Sequence, residues 1–324
     1  MTEQQLELLL PDYIDEAVIK TPPYYISRVS AESGRHYMVR SKDSDEESEP
    51  IVLPSITTII RNTSPLSPFI IDKMIQMGKE AWGAYLEERA DYGTNLHIII
   101  GYFIRNKSVK IPFEREVVDD IGMNNRGFNH KVFFKFEQDT YSDLLSFCAF
   151  FNEYQVEPLA LELPLASANL GFAGTLDMPC KMTLRVKGYW GEVYKTGPQK
   201  GSMKESYNDV RVIGLVDFKS GRHGFYRDNE LQLKMAEMLF REHYPELCDE
   251  FPVKLFNWSP KEWRTEPSFL LTEQTDKVMD LNIKSRVSLF FSEYGSNPKK
   301  RRLYEGVLEL GQPTIGLYYD QSDF

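Results

Sequence analysis

An aspartate and a lysine, Asp217 and Lys219, stand two residues apart at the end of an apolar segment. This segment, residues 214–216, and the Gly221 that follows predict a strand ending in a turn. Because side chains alternate between the faces of a strand, Asp217 and Lys219 share one face and Phe218 points to the other. A carboxylate beside an ammonium group suits metal-assisted hydrolysis, in which the carboxylate holds a divalent cation and the lysine orients or deprotonates the attacking water. A surface ion pair at a strand end has the same pattern, so the pair alone does not decide between the two.

A second carboxylate, Asp177, ends another predicted strand, which contains Gly174. Glycine inside a strand permits a bend or the close approach of another backbone. Two acidic strand ends in one small sheet suit a hard cation such as Mg²⁺, because it takes oxygen ligands and keeps several waters. The simpler alternative for Asp177 alone is a glycine-containing turn.

Two predicted helices add a histidine and a glutamine. His97 precedes the apolar run 98–100, and Gln232 lies on the helix after the Asp217–Lys219 strand. On its own, a histidine on an apolar helix is more often a packed core residue than a ligand, and Gln232 has the position of a solvent-facing residue. Their order along the chain with the two carboxylates favours a functional role.

Taken in this order, the segments resemble the PD-(D/E)XK nuclease superfamily, and most closely its RecB-like branch, which includes phage-type and mitochondrial genome-maintenance exonucleases. That branch has a Gly-Thr-x-x-His helix, then Gly-x-x-Asp, then Asp-x-Lys, then a Gln-Leu helix. The corresponding segments here are Gly93-Thr94-Asn95-Leu96-His97, Gly174-Thr175-Leu176-Asp177, Asp217-Phe218-Lys219 and Gln232-Leu233. The resemblance covers about residues 51–243 and includes a Pro-Ser-x-Thr segment that begins at Pro54.

The resemblance implies a site for Mg²⁺ or Mn²⁺. Its implied ligands are His97, Asp177, Asp217 and the backbone carbonyl of Phe218. It also implies that Lys219 acts on the water and that Gln232 steadies the lysine or a phosphate. Glu162 stands where these enzymes often have an acidic residue on the preceding strand, and we treat it as a second-tier ligand, since glutamate at strand edges is common.

The function implied by the resemblance is that of a metal-dependent DNA exonuclease. Such an enzyme hydrolyses phosphodiester bonds and leaves 5′-phosphate ends, in phage-type recombination, replication or DNA processing. DNA is the implied partner, together with a recombination or single-strand-annealing protein. Two alternatives stay open: an endonuclease on the same fold, and an inactive DNA-binding or scaffold module. The inactive module is disfavoured, since an inactive copy has no chemical reason to keep all four of the site residues His97, Asp177, Asp217 and Lys219.

Two further stretches concern contact with the substrate. Residues 189–208 are rich in Gly, Lys and Ser, lie between the two aspartates, and predict an exposed insertion that could clamp substrate. The chain has one dense basic run, formed by Lys299, Lys300, Arg301 and Arg302. Contact with a phosphate backbone and a solvated loop are equally open interpretations of this run.

Composition excludes several other classes of protein. The 324 residues include 38 Lys and Arg against 48 Asp and Glu, a formal charge of −10, so any DNA contact depends on a local basic surface. The only cysteines, Cys148, Cys180 and Cys248, include no CxxC pair, which excludes a disulfide framework, a zinc ribbon and a four-cysteine iron–sulphur cluster. No apolar run has membrane-spanning length. We therefore expect a cytoplasmic protein, in a host cytoplasm if it is phage-encoded, with no membrane partner.

The element order predicts an α/β fold with a mixed sheet. The resemblance implies a restriction-endonuclease-like core with a central mixed β-sheet flanked by helices, plus an N-terminal helical and hairpin elaboration. The expected divisions are 1–50 for the elaboration, 51–295 for the nuclease core and 296–324 for a C-terminal basic tail. We expect helices over residues 1–20 and 272–292, and a hairpin between residues 24 and 40.

Overall fold

The structure is a computed structural model that describes residues 12–43, 49–108, 114–117, 132–135, 138–221, 227–274, 280–296, 302–304 and 317–319. Within these ranges there are seven helices: α1 (Ile56–Thr63), α2 (Pro68–Met77), α3 (Lys79–Asn106), α4 (Gln138–Glu153), α5 (Arg227–His243), α6 (Pro245–Glu250) and α7 (Asp280–Tyr294). The strands in the same ranges are β1 (Asp12–Tyr13), β2 (Tyr24–Ala31), β3 (Gly34–Ser41), β4 (Ile51–Pro54), β5 (Glu114–Val117), β6 (Val132–Lys135), β7 (Glu157–Pro158), β8 (Ala160–Leu161), β9 (Leu163–Ser167), β10 (Phe172–Leu176), β11 (Met178–Val193), β12 (Met203–Phe218), β13 (Val253–Pro260), β14 (Phe269–Glu273), β15 (Arg302–Tyr304) and β16 (Leu317–Tyr319).

A mixed five-stranded sheet lies at the centre, in the order β14-β13-β12-β11-β7. β12 and β13 are parallel, and the other neighbouring strands are antiparallel. The last seven residues of β12 are all buried, which explains the continuous apolar run before Asp217. A strand covered on both faces requires apolar side chains on both. The chain is therefore a mixed α/β protein with helices on both faces of the sheet, as the element order predicts.

Each face of the sheet has its own core. On one face Leu215 packs in a cluster with α5, whose Leu231, Met235 and Leu239 repeat every four residues and are all buried. On the other face Val216 packs in a cluster with residues of α3 and α4. β12 is thus fixed from both sides, which holds the acidic end of the strand in place.

The N-terminal hairpin is confirmed: β2 pairs with β3, and β4 extends them to a three-stranded sheet. The predicted helix over residues 1–20 is wrong in its second half, and residues 1–11 lie outside the described ranges. Asp12 and Tyr13 instead form β1, which pairs with β8. This pairing, continued by the backbone N–H groups of Ile14 and Asp15, which both donate to the carbonyl of Leu159 at 3.1 Å, accounts for the difference.

Two other boundaries differ from the sequence expectation. The predicted helix over 272–292 is wrong at its start, because residues 272 and 273 belong to β14, which pairs with β13; α7 covers Asp280–Tyr294, and residues 275–279 lie outside the described ranges. The predicted insertion at 189–208 is mostly strand, since β11 runs to Val193 and β12 begins at Met203. Pairing between the strands, with an ion pair of 2.8 Å between Lys204 and Glu192, overrides the loop-like composition. Of the helices in the described ranges, none is long and apolar enough to cross a bilayer.

Candidate metal centre

The two aspartates meet at one end of the β11–β12 pair. Met178 opposes Val216 in this antiparallel ladder. Asp177 directly precedes Met178, at the junction of β10 and β11, and Asp217 directly follows Val216. Antiparallel pairing therefore brings together two carboxylates that are forty residues apart in sequence.

Three side chains form a cluster that could hold a cation: His97 from α3, Glu162 between β8 and β9, and Asp177. Each offers one ligand atom, and these atoms lie within 4.8 Å of one another. His97 Nδ1 is 3.0 Å from Glu162 Oε1, and His97 Nε2 is 3.9 Å from Asp177 Oδ2. The side chains are 23%, 23% and 12% exposed, so they are accessible from the pocket. His97 is thus a member of this cluster and not the enclosed core residue of the simpler interpretation.

Glu162 has a backbone conformation that is rare outside glycine. Its φ angle is +48°, in the left-handed region. Its N–H donates to the carbonyl of Asp177 at 2.9 Å, which ties the two acidic residues together. Strained residues of this kind cluster at functional sites. Sequence ranked Glu162 second because a strand-edge glutamate is common, and this φ angle was the missing information.

Asp217 lies outside that cluster, and its carboxylate is occupied by donors. Lys219 Nζ is 2.9 Å from Oδ1 and 2.7 Å from Oδ2. Gln232 Nε2 donates to Oδ1 at 3.1 Å, and Asn257 Nδ2 donates to Oδ2 at 2.7 Å. Among the described side chains, Asp217 is not part of the three-residue cluster, so its predicted role as a ligand beside Asp177 stays a prediction.

The remaining predicted site residues connect the two groups. Gln232 Oε1 accepts from Lys219 Nζ at 3.3 Å, the contact expected of a residue that steadies the lysine. The backbone N–H of Phe218 donates to Asp177 Oδ2 at 2.7 Å. The Phe218 ring lies on the opposite face of the strand in the aromatic core, 5.5 Å from the His97 ring centroid. β12 thus contacts the cation cluster through the backbone N–H and the ring of Phe218, and the lysine through the side chain of Asp217.

The electrostatics of the cluster favour protonated His97. Burial lowers the pKa of His97, but the Asp177 carboxylate and the hydrogen bond to Glu162 raise it more, to about 9. Burial raises the pKa of Asp177 to about 7, with His97 opposing this and the nearby carboxylates of Asp217 and Glu162 adding to it. Two acids and an imidazole whose ligand atoms lie within 4.8 Å of one another form a site whose negative charge a divalent cation can neutralise.

Lys219 stays charged in this environment. Burial lowers its pKa, but Asp217 and Asp177 outweigh that effect, so the net direction is upward. An ammonium group with a raised pKa is a poor base at neutral pH. The geometry therefore favours the role of orienting water and stabilising negative charge over that of deprotonating water.

One pocket contains most of these groups. Its lining includes His97, Glu162, Asp177, Asp217 and Gln232, and it also includes residues that sequence reasoning missed. Those are Arg28 and Arg35 from the N-terminal hairpin. Ser55 and Thr57, which belong to the Pro-Ser-x-Thr segment named above, also line the pocket. Nothing in the local sequence marks the two arginines, because only tertiary packing brings the hairpin to the pocket. Asn257 was also missed, although an asparagine inside the apolar run of β13 is itself a signal.

The basic run at residues 299–302 lies almost entirely outside the described ranges. Lys299, Lys300 and Arg301 are outside the described ranges, and only the backbone of Arg302, at the start of β15, is within them. Their role in DNA contact therefore stays a prediction.

No protein-family model matches this chain, and a search of curated proteins finds no significant match.

Proposed function

We propose that this chain is a divalent-cation-dependent deoxyribonuclease with a restriction-endonuclease-like core of the RecB-like PD-(D/E)XK type. It acts as an exonuclease that leaves 5′-phosphate ends. One observation carries the proposal: four separate segments bring His97, Asp177, Asp217 and Gln232 to the lining of one pocket, in the order that the motif resemblance requires. Lys219 is hydrogen-bonded to two of these residues, Asp217 and Gln232.

The residues present fit Mg²⁺ or Mn²⁺. Carboxylate oxygens are the ligands that both ions prefer, and one imidazole nitrogen shifts the preference toward Mn²⁺. His97, Glu162 and Asp177 would hold the ion, with Asp217 and the Phe218 carbonyl as the further ligands that the resemblance implies. When bound, the cation supplies Lewis-acid stabilisation of phosphate charge and a more acidic water.

The protein groups around this site have separable tasks. Lys219 brings a positive charge to where the attacking water and the scissile phosphate would lie, and Gln232 holds its ammonium group. The buried carboxylate of Asp217 balances the charge of Lys219, whose side chain is partly exposed. Arg28 and Arg35 line the same pocket, and guanidinium groups match phosphate oxygens in geometry and charge.

The net charge of −10 does not oppose this function. The acidic residues of the pocket are the ones that a cation would neutralise, and the same lining contains two arginines, with Lys219 beside Asp217 as a further positive charge. We propose DNA as the substrate, a recombination or annealing protein as the partner, and the cytoplasm as the compartment.

The test compares end-labelled linear and circular DNA, single- and double-stranded, each with Mg²⁺, Mn²⁺ or EDTA. We expect cleavage of linear DNA from its ends with either cation, none with EDTA, and much slower cleavage by Lys219→Met. Cleavage of circular DNA would replace the exonuclease with an endonuclease on the same fold. Binding of DNA without cleavage under every condition would overturn the enzymatic proposal in favour of an inactive binding module.

A further inference from the structure

Asn257 is a polar residue inside an otherwise apolar strand. It is the register partner of Asp217 across the parallel β12–β13 pair. Its side chain is fully buried, at 0% exposure, and its neighbours Phe256 and Trp258 are buried as well. A buried amide is unfavourable unless its hydrogen bonds are made. The contacts of Asn257 therefore account for its place in the core.

Both polar atoms of the Asn257 side-chain amide form hydrogen bonds. Nδ2 donates to Oδ2 of Asp217 at 2.7 Å, and Oδ1 accepts from Nε2 of Gln274 at 2.8 Å. Gln274 directly follows β14. Its backbone N–H donates to the carbonyl of Leu255 at 2.8 Å, and this hydrogen bond to β13 fixes the position of the Gln274 backbone. Because Gln274 supplies a donor to Oδ1, the donor end of Asn257 faces the carboxylate.

We propose that Asn257 and Gln274 form a positioning relay that fixes the Asp217 carboxylate of the proposed nuclease site, on whose function the relay rests. In the part of the chain that the structure describes, the pocket lining includes Asp217 and Gln232 but neither relay residue. The relay therefore acts only through Asp217. It holds Oδ2 from the core side, while Oδ1 meets Gln232 on the pocket side.

A change at position 274 tests the relay from a distance. In Gln274→Glu the new carboxylate can only accept, so it repels Oδ1 of Asn257 and attracts Nδ2. The amide then turns its oxygen toward Asp217, which loses a donor. We expect the Mn²⁺ affinity of the full chain, measured calorimetrically with the metal alone, to fall about tenfold, as is typical for residues that orient a metal ligand. An added negative charge by itself would strengthen cation binding, so a loss cannot come from charge alone.

A double-mutant cycle tests whether Gln274→Glu acts on Asp217 through the Asn257 amide. Asn257→Leu removes both contacts at similar size and should also weaken Mn²⁺ binding about tenfold. In that background Gln274→Glu should have no further effect, because it acts through the amide. Ser259→Ala is the matched control: Ser259 is buried two residues along the same face of β13, and its hydroxyl has no hydrogen-bond partner in the described structure. Its Mn²⁺ affinity should equal that of the wild type.

The outcomes separate the relay from the proposed function. Wild-type or tighter Mn²⁺ binding by Gln274→Glu overturns the relay, as does an undiminished effect of that change in the Asn257→Leu background. If Asn257→Leu does not fold, the comparison of Gln274→Glu with Ser259→Ala decides alone. A wild-type chain that binds Mn²⁺ without cleaving DNA overturns the nuclease proposal and leaves the relay standing, whereas no Mn²⁺ binding by the wild type overturns both.

Discussion

The two halves of the pocket differ in how the negative charge of their carboxylates is balanced. His97, Glu162 and Asp177 are partly exposed, and their ligand atoms face one another within 4.8 Å. Asp217 is buried, and both of its oxygens accept from Lys219 as well as from Gln232 or Asn257. The first half gathers negative charge that a cation can neutralise, and the second neutralises its own charge internally. Asp177 thus faces the other candidate ligands of a cation, whereas Asp217 is held against Lys219.

The largest expected effect is on cleavage, at the cation half. Asp177→Asn removes one charge but keeps an oxygen that can accept from the Phe218 amide. Loss of several kcal/mol of Lewis-acid stabilisation should reduce cleavage on the order of a thousandfold or more. Single-turnover assays on labelled DNA measure this, and a matched thermal melt should show little change. Cleavage within tenfold of the wild type would remove Asp177 from the site.

Lys219→Met should separate catalysis from cation binding. The lysine contacts Asp217 and Gln232, and its ammonium group is not a metal ligand. We expect cleavage to fall about a hundredfold or more, since the charge that stabilises the reacting phosphate is gone. Calorimetric Mn²⁺ affinity should stay within a few-fold of the wild type. Loss of Mn²⁺ binding in this variant would contradict the role of Lys219 as a residue that acts on the reacting phosphate and water without holding the ion.

The anchoring half should matter more for stability. Asp217→Ala leaves Lys219 and Asn257 without their shared acceptor, which we expect to lower the free energy of unfolding by about 2 kcal/mol. Asp177→Asn, by contrast, should be near neutral because repulsion between acids is relieved. Urea denaturation of both variants gives the comparison. Equal free energies of unfolding for Asp217→Ala and Asp177→Asn would contradict the larger role of Asp217 in stability.

Cation binding should release protons, and by an amount that depends on pH. With pKa values of about 9 for His97 and about 7 for Asp177, the histidine is charged at pH 7 and the aspartate is about half protonated. Both groups must lose their protons to act as ligands, so Mn²⁺ binding at pH 7 should release about one to two protons and tighten as pH rises toward 9. Calorimetry in two buffers of different ionisation enthalpy counts them. His97→Asn should reduce the count by about one, and proton-neutral binding by the wild type would exclude His97 as a ligand.

Sequence predicted much of this site because each motif lies within one regular element or at its end. Asp217 and Lys219 share a strand face by simple alternation, and both contact Gln232 of the following helix. The apolar periods of α4 and α5 and the hairpin of β2 and β3 were likewise local properties, which the structure confirms. Local pattern is sufficient where the residues that interact are close in sequence.

The rest depended on tertiary relations. Asn257 meets Asp217 only because β13 lies parallel to β12, and Arg28 reaches the pocket only because the hairpin packs beside α1. Glu162 depends on a φ angle that its sequence does not show. The helix expected over residues 1–20 failed in its described part because Asp12 and Tyr13 pair with β8, a contact about 150 residues away.

The most direct test of the central claim is the position of Mn²⁺ in a crystal, located by anomalous scattering. The account predicts one strong peak in bonding contact with His97 Nε2 and carboxylate oxygens of Asp177 and Glu162, with Lys219 still paired to Asp217. A peak elsewhere, or none at saturating Mn²⁺, would contradict the assignment of this pocket as a metal centre and the nuclease function that depends on it.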